Sequence, residues 1–313
     1  MALRQWMFTH DWMIKPMGQT EWIERRGLLV WIADVFNSIG AGLYLVSLLY
    51  DSFWGMFAAW LIIIFLKMFP HLVYLGKPWR FWRMLPPFTD AWKTSWITRG
   101  IFFTTLFIGF AFIQLAISLF LPETGWLTVF KVLAGITAFL TGIYSGFVMS
   151  YCRSVPFWNS ALLPLVFLFA GIADGLALIM VIEPAHASVN VLAAESAGRI
   201  LLTINAVIIG VYLWQATYTS KTAGYSAALL LSGKLSPLFW GGVVACGIAI
   251  PPVISFFSLF AANEALSPSV ITAAAFHTVG AFSLKYVLLK AGVHSPLLPI
   301  KTSIFRFSEK GAK

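Results

Sequence analysis

Five polar side chains interrupt apolar stretches of this sequence and carry groups that bind and exchange protons. They are a carboxylate, an amide, an imidazole, a phenol and an ammonium group, at Asp34, Asn37, His71, Tyr144 and Lys285. A carboxylate accepts hydrogen bonds, an ammonium group donates them, and an imidazole or a phenol can do both. Together they would suit a pocket that holds a polar ligand and exchanges protons with it.

Asp34 is the most costly of these residues, because an ionised Asp inside a membrane span costs about 2.5 to 3.5 kcal/mol. We therefore expect it to face the interior of a helix bundle or a cavity. Asn37 follows one helical turn later on the same face. Gly40, Ala41 and Gly42 then allow a neighbouring helix or a flat ligand to approach the backbone. Asp34 is either part of a functional polar site or a structural hydrogen-bonding group between helices.

The elements that must position these residues are eight apolar segments, each long enough to cross a membrane as a helix. A bilayer core about 30 Å thick requires about 20 helical residues. With 59% hydrophobic and 11% charged residues, the protein is predicted to be an all-α integral membrane protein with eight transmembrane helices. The predicted spans lie near residues 28–49, 54–76, 98–121, 126–150, 160–182, 197–219, 239–261 and 268–290. Residues 1–27 and 291–313 then form terminal tails around a transmembrane domain of residues 28–290.

Basic residues are distributed unevenly over the two sides of this arrangement. Sixteen Lys and Arg residues fall in the tails and in the second, fourth and sixth loops, whereas the opposite loops contain Arg199 alone. Loops rich in Lys and Arg remain in the cytoplasm. We therefore expect a multi-pass protein of the inner membrane with both termini in the cytoplasm. The net charge of +9 reflects this topology, and no nucleic-acid partner is predicted.

Helix geometry places four of the polar residues at one depth. Given a rise of about 1.5 Å per residue, Asp34, His71, Tyr144 and Lys285 lie about 8 to 9 Å from the cytoplasmic ends of four different spans. This shared depth predicts a pocket just below the cytoplasmic face. Each residue taken alone could equally be a satisfied contact in the bundle interior.

A second set of polar residues extends towards the other leaflet. Asp174 lies about 21 Å from the cytoplasmic start of its span, and Lys67, Gln114 and Asn205 also lie within spans. Such residues could form the polar track that a proton relay requires. We predict a proton path through Asp34, Lys67 and Asp174, with static hydrogen bonding between helices as the alternative.

The longest polar loop lies within residues 75–100, between the second and third spans. It carries five of the 21 basic residues together with four tryptophans. Basic residues and Trp beside an apolar run mark the membrane interface. From composition alone, this stretch is either an ordinary loop anchored by positive charge or a functional surface.

Sequence motifs along nearly the whole length of the protein carry a family resemblance. They are LGKP at 75–78, TSWITRG at 94–100, TGIYSG at 141–146, VPFWNS at 155–160 and LKYVLLKAG at 284–292. This ordered set resembles the NrfD/PsrC family, the polysulfide reductase membrane subunits. Each motif alone is weak, whereas their order is fairly specific.

The resemblance implies an eight-helix subunit, arranged as two four-helix bundles. It implies that this subunit binds a quinone, either menaquinone or ubiquinone, among membrane lipids. It also implies docking of a four-cluster, ferredoxin-like iron-sulfur subunit, which is attached to a molybdopterin catalytic subunit with molybdenum or tungsten. Cys152 and Cys246 are the only cysteines, so this protein cannot supply four thiolates to a cluster. The clusters and the metal cofactor are therefore expected in partner subunits only, and no metal site is expected here.

The same resemblance assigns roles to the residues named above. The quinone site is expected to include Asp34, Asn37, His71, Tyr144 and Lys285. Asp34 stands where the best-described family member has His, and Lys285 stands where Arg is common. Partner docking is expected on the second loop, at Lys77, Arg80, Arg83, Trp96 and Arg99.

Two other function classes remain open from the sequence. A cytochrome b anchor with two haems requires four axial ligands, and only His71 and His277 lie within spans. A transporter working alone is favoured by the ionisable residues within the spans and by Pro251 and Pro252, which should kink or break the seventh span. Copurification of a cluster-bearing partner would argue against such a transporter.

Overall fold

The computed structural model of this protein describes residues 16–183, 191–258 and 268–296. Eight helices in this part are long and apolar enough to cross a membrane, which confirms the predicted all-α membrane architecture. We number them spans one to eight: Gly27–Leu49, Phe53–Tyr74, Trp96–Phe120, Gly125–Ser150, Leu163–Ile182, Ala193–Thr219, Leu238–Phe257 and Pro268–Lys290. Residues 1–15 and 297–313 of the predicted tails lie outside the described residues.

Local sequence signals explain where spans two and five differ from their predicted bounds. Span two ends at Tyr74, because Gly76 adopts a left-handed conformation with φ of 70° that terminates the helix. Span five begins at Leu163 instead of residue 160, and Pro164 occupies its first turn. Proline is favoured there, since a helix start needs no backbone N–H from that residue.

The spans form two four-helix bundles in sequence order. Spans one to four pack against each other, and so do spans five to eight, while spans one and five form the main contact between the bundles. Gly42, Gly171 and Gly175 bring these two helices together, because a Cβ at any of them would collide with the backbone of the other helix. The small residues of span one therefore accommodate a neighbouring helix at Gly42.

Two spans contain wide π-helical turns. These are Ile62–Met68 in span two and Leu238–Ala249 in span seven. Pro251 and Pro252, which were predicted to kink or break span seven, do not break it, since α-helix continues over Ile250–Ser258 directly after the π-helical turns. The wider turns accommodate the proline rings and the missing backbone donors without ending the helix.

The first and last described segments lie at the same face of the bundle. Met17–Gly18 and Val293–His294 form a short antiparallel pair. The loop between spans two and three lies at this face and contains the short helices Pro78–Met84 and Asp90–Thr94. A further helix between spans six and seven, Lys221–Leu231, was not expected from the sequence. We call this side the basic face, because the loops rich in Lys and Arg lie here.

Lys131, a basic residue within span four that the charge count did not include, reaches the opposite face. The Lys131 ammonium group forms an ion pair with Asp51 beyond the end of span one, with Nζ and Oδ1 2.5 Å apart. Long Lys side chains reach the interface in this way while their methylenes stay in apolar surroundings. Lys131 and Arg199 are still few beside the basic residues of the other face.

Candidate functional site

A cavity of about 130 Å³ lies near the basic face, between the ends of spans one, two, three, four and eight. Three of the five residues predicted for a quinone site line it: Asp34, His71 and Tyr144. Most of the remaining wall is apolar, with side chains such as Trp22 and Met149. Three of the four residues predicted at one depth therefore line one cavity, whereas Lys285 does not.

Asp34 forms an ion pair with Lys285. The Asp34 Oδ2 and Lys285 Nζ atoms are 3.5 Å apart, and the two side chains are 11% and 2% exposed. The Lys285 ammonium group also donates to Ser38 Oγ over 2.8 Å. Lys285 lies outside the cavity wall, so it supports the charge and position of Asp34 instead of contacting a ligand there.

Tyr144 packs into a space that a glycine leaves open. Its ring lies against Gly100 of span three, where a Cβ would collide with the ring atoms. Lys67 lies 5.2 Å from the ring centre and donates to Thr104 Oγ1 over 2.7 Å. The ammonium group beside the ring limits how far Tyr144 can move away from the cavity.

Asn37 connects span one with span four behind the cavity wall. Its Nδ2 donates to the Thr141 carbonyl over 2.7 Å and to Ser145 Oγ over 3.2 Å. It is fully buried and does not line the cavity. Asn37 thus sets the relative position of the helices that carry Asp34 and Tyr144.

Two of the predicted docking residues organise the loop between spans two and three. The Arg99 side chain donates to the carbonyls of Trp92 and Lys93 over 2.9 and 2.5 Å, and it stacks 4.7 Å from the Trp96 ring. Trp96 in turn stacks on Phe147 of span four with centroids 4.5 Å apart. These contacts fix the end of the loop to the bundle.

The other three predicted docking residues are solvent-exposed. Lys77, Arg80 and Arg83 lie at the start of the loop beside Trp79 and Trp82, whose side chains are 89% and 57% exposed. This part of the loop presents charge and aromatic surface outward. The residues that flank the loop, at 75 and 97, both line the cavity, so the loop lies at its margin.

The polar residues of the predicted proton path are divided between the bundles. Lys67 lies in the first bundle beside Tyr144, and Gln114 accepts a hydrogen bond from Tyr44 there. Asp174 lies in the second bundle and pairs with His277, with Oδ1 and Nδ1 2.5 Å apart. Lys67 and Gln114 therefore lie in the first bundle, whereas Asn205 and Asp174 line one small cavity in the second.

His277 was noted in the sequence only as a histidine within a span. A usable signal existed, because Asp174 and His277 lie about 12 to 14 Å from the ends of their spans at the opposite face, and so at one depth. Among the described residues, no group of three or more His, Cys, Asp or Glu could hold a metal ion.

Comparison with known proteins gives a consistent result. A family model described as "Polysulphide reductase, NrfD" matches residues 27–296. The protein is 26% identical over 246 residues to Protein NrfD of Escherichia coli strain K12, which covers 70% of this sequence and 76% of the relative. It is 24% identical over 250 residues to the Protein NrfD homolog of Haemophilus influenzae, over 71% and 76% of the two sequences. The C subunit of the polysulfide reductase of Wolinella succinogenes is 27% identical over 169 residues, about half of each sequence (52% and 53%).

Proposed function

Because the chain belongs to the polysulphide reductase NrfD family and is a multi-pass membrane subunit of a redox complex, we propose that it binds quinone and anchors an iron-sulfur oxidoreductase. In this proposal it exchanges electrons between the quinone pool and a docked iron-sulfur subunit. The name of one relative describes it as a subunit of a polysulfide reductase. The substrate reaction belongs to a partner with a molybdenum or tungsten cofactor, as in anaerobic respiration.

The observation that carries this proposal is the cavity with Asp34, His71 and Tyr144 on one wall and apolar side chains around them. Its composition fits a quinone, which has polar oxygens on an apolar ring and tail. Asp34 Oδ2 is buried and forms an ion pair with Lys285 over 3.5 Å, but it accepts no hydrogen bond from the described residues. When bound, menaquinone or ubiquinone would supply two-electron chemistry coupled to two protons.

Each residue of the candidate site has a separate role in this proposal. Tyr144 and His71 donate hydrogen bonds to carbonyl oxygens, because a phenol and an imidazole both carry a donor. Asp34 accepts a proton from a hydroxyl group, since an ionised carboxylate is an acceptor only. Lys285 orients Asp34 through their ion pair, whereas Asn37 keeps the two helices in register.

The exposed part of the loop between spans two and three is the proposed docking surface for the iron-sulfur subunit. Lys77, Arg80 and Arg83 would attract an acidic partner surface and fix its orientation. Because this loop lies at the cavity margin, a cluster docked on it would be close to the quinone. The excess of Lys and Arg at this face supports a cytoplasmic location for the partner and for both termini, in the inner membrane.

The test compares two activities in the purified complex. Asp34→Asn keeps the size of the side chain and removes its charge. We expect quinone-linked electron transfer to fall about 100-fold or more, because a proton acceptor at a reacting group contributes about that much. Reduction of an artificial dye by the partner subunits should remain unchanged.

Asp51→Asn makes the same chemical change at the opposite face and serves as the control. It should leave both activities unchanged. Full quinone-linked activity in Asp34→Asn would reject the assignment of the site. Purification of the wild-type protein without a cluster-bearing partner would reject the anchor role and favour a transporter.

A further inference from the structure

A buried lysine of the first bundle lies behind the wall of the candidate quinone cavity. Lys67 is 0% exposed and does not itself line the cavity. Charged side chains inside membrane spans are costly and commonly serve a function. The proposed roles of Asp34, His71 and Tyr144 do not use this ammonium group. The contacts of Lys67 indicate what it does.

The local structure of span two turns Lys67 towards the interior of the bundle. The residue belongs to the wide π-helical turn Ile62–Met68. Ile63 and Lys67 are the buried residues of this turn, whereas Phe65 and Leu66 are exposed at the outer surface. π-Helical turns inside α-helices occur frequently at functional sites. The turn thus keeps the ammonium group out of the lipid.

The ammonium group of Lys67 has a neutral hydrogen-bond partner. Its Nζ atom donates to Thr104 Oγ1 over 2.7 Å, and the Thr104 hydroxyl group donates to the Gly100 carbonyl over 2.8 Å. Lys67 forms no ion pair with any described residue, unlike Lys285, which pairs with Asp34. The charge of Lys67 is therefore not cancelled by direct contact with a carboxylate in this part of the chain.

The positive charge of Lys67 acts on the polar side chains of the cavity wall. Lys67 interacts electrostatically with Asp34 and with His71. Its Nζ atom lies 5.2 Å from the centre of the Tyr144 ring. Because Lys285 offsets the charge of Asp34, Lys67 adds an excess positive charge to this layer. Buried charges are screened much less than exposed ones, so this charge also acts on a ligand in the cavity.

From this arrangement we propose that Lys67 makes the cavity selective for ring ligands that carry negative charge on an oxygen, such as the anions of hydroxylated naphthoquinones. The ammonium group acts from behind Tyr144 as a positioned charge. A fixed positive charge stabilises negative charge near it without reorganisation of its surroundings. A neutral quinone of similar shape gains little from this charge, so Lys67 discriminates by charge and not by size.

This inference rests on the proposed function, because it takes the ligand of the cavity to be a quinone. It adds the charge of the preferred ligand and the residue that sets this preference. The same positive charge would favour negative charge on a bound ring whenever electrons arrive there before protons. Selectivity for anionic ligands is therefore a measure of how the site supports electron transfer.

The experiment measures ligand binding to the purified complex in lipid nanodiscs by equilibrium dialysis, with empty nanodiscs as the blank. Two naphthoquinones are compared at neutral pH. Lawsone carries a hydroxyl group and is an anion under these conditions, whereas menadione carries a methyl group, is neutral and has a similar shape. Wild-type complex is expected to bind lawsone more tightly than menadione. This readout requires no turnover.

Lys67→Met keeps the approximate length of the side chain and removes its charge. We expect it to weaken lawsone binding about tenfold, because a unit charge about 10 Å away in a protein interior changes the binding of an anion by roughly that factor. Menadione binding should stay within about twofold of wild type, since a neutral ring responds little to the charge. Lys67→Gln, which keeps a hydrogen-bond donor for Thr104, should give the same result.

Lys131→Met is the matched control, because it makes the same chemical change at the opposite face, where Lys131 pairs with Asp51. It should leave the binding of both naphthoquinones unchanged. Equal effects of Lys67→Met and Lys67→Gln on lawsone and menadione, or no effect on either, would show that Lys67 only holds helices together.

The wild-type measurement separates this proposal from the proposed function. Tighter binding of menadione than of lawsone would overturn the selectivity for anions and leave the quinone site intact. Binding of neither compound, together with no oxidation of a quinol, would overturn the proposed function itself. If neither Lys67 variant assembles, the order of the two wild-type affinities decides the matter.

Discussion

The ring and the hydroxyl group of Tyr144 have separate roles in the cavity, and one substitution can distinguish them. Its ring fills the space beside Gly100, whereas its hydroxyl group is the proposed donor to the quinone. Tyr144→Phe keeps the ring and removes the donor. We expect quinone-linked activity to fall about 100-fold, since a positioned proton donor contributes about that factor, with unchanged dye reduction and unchanged thermal stability. Equal loss of both activities would indicate a role in assembly.

Lys285 is expected to matter for stability through its partner Asp34. Lys285→Met leaves a nearly buried carboxylate without its counter-charge, which costs about 3 to 5 kcal/mol. Adding Asp34→Asn removes that unpaired charge, so the double variant should be more stable than Lys285→Met alone. Thermal unfolding in detergent of the wild type, both single variants and the double variant measures this coupling. Additive effects would mean that the two groups do not interact.

For single residues, the sequence predicted the depth in the membrane better than the side of the helix on which the side chain lies. Asp34, His71 and Tyr144 were placed at one depth by counting residues, and they line one cavity. Asn37 and Lys285 lie at suitable depths but face neighbouring helices. Direction around a helix depends on which helices are neighbours, and apolar residues on all sides of a span leave that undetermined.

Helix packing between the bundles provides a test at the level of elements. Gly171→Val would push a side chain into the backbone of span one at Ser38. We expect a loss of at least about 1 to 3 kcal/mol, as for overpacked cores, visible as a lower unfolding temperature and a lower yield of folded protein. Gly109→Val is the matched control, because its new Cβ would have no neighbour within 4 Å. Equal tolerance of both variants would contradict the close packing of spans one and five.

Two kinds of element were not predicted from the sequence, each for a physical reason. The π-helical turns in spans two and seven occur in runs that are apolar apart from Lys67, where no periodic pattern records the extra residue in a turn. The helix Lys221–Leu231 is too short to span a membrane, and the search for spans passes over it. By contrast, span ends were close to their predicted positions, since Gly, Pro and charged residues mark them.

The docking proposal concerns the surface of the whole molecule. Replacing Arg80 and Arg83 together with Glu should weaken retention of the iron-sulfur subunit about tenfold, since reversed charges repel an acidic partner. The effect should shrink at high salt, because exposed charges are screened. Pull-down at two salt concentrations measures it.

Lys234→Glu is the matched control for this experiment. Lys234 is exposed between spans six and seven, away from the loop that joins spans two and three. Retention that is equally weakened by Lys234→Glu would point to a general charge effect of the basic face. Unchanged retention in the double variant would remove these arginines from the docking surface.

At the scale of the molecule, the eight spans and the charge asymmetry followed from the sequence itself, and the two bundles followed from the family resemblance. The contacts between polar side chains could not be predicted in this way, because residues far apart in sequence come together only when the helices pack. Gln114 and Asp174 lie at comparable depths but in different bundles, whereas Asp174 and His277, 103 positions apart, are bonded to each other. Pairing of this kind depends on tertiary contacts that the order of the spans does not specify.

The short strand pair between the first and last described segments has a consequence for biosynthesis. Trp22 from the first strand's side and Leu289 from the end of span eight both form walls of the cavity, and Gln19 donates to the Leu289 carbonyl. A nascent polypeptide therefore cannot complete this chamber until span eight has left the ribosome. Only protein translated that far has the complete cavity, so truncated products would lack the proposed quinone site.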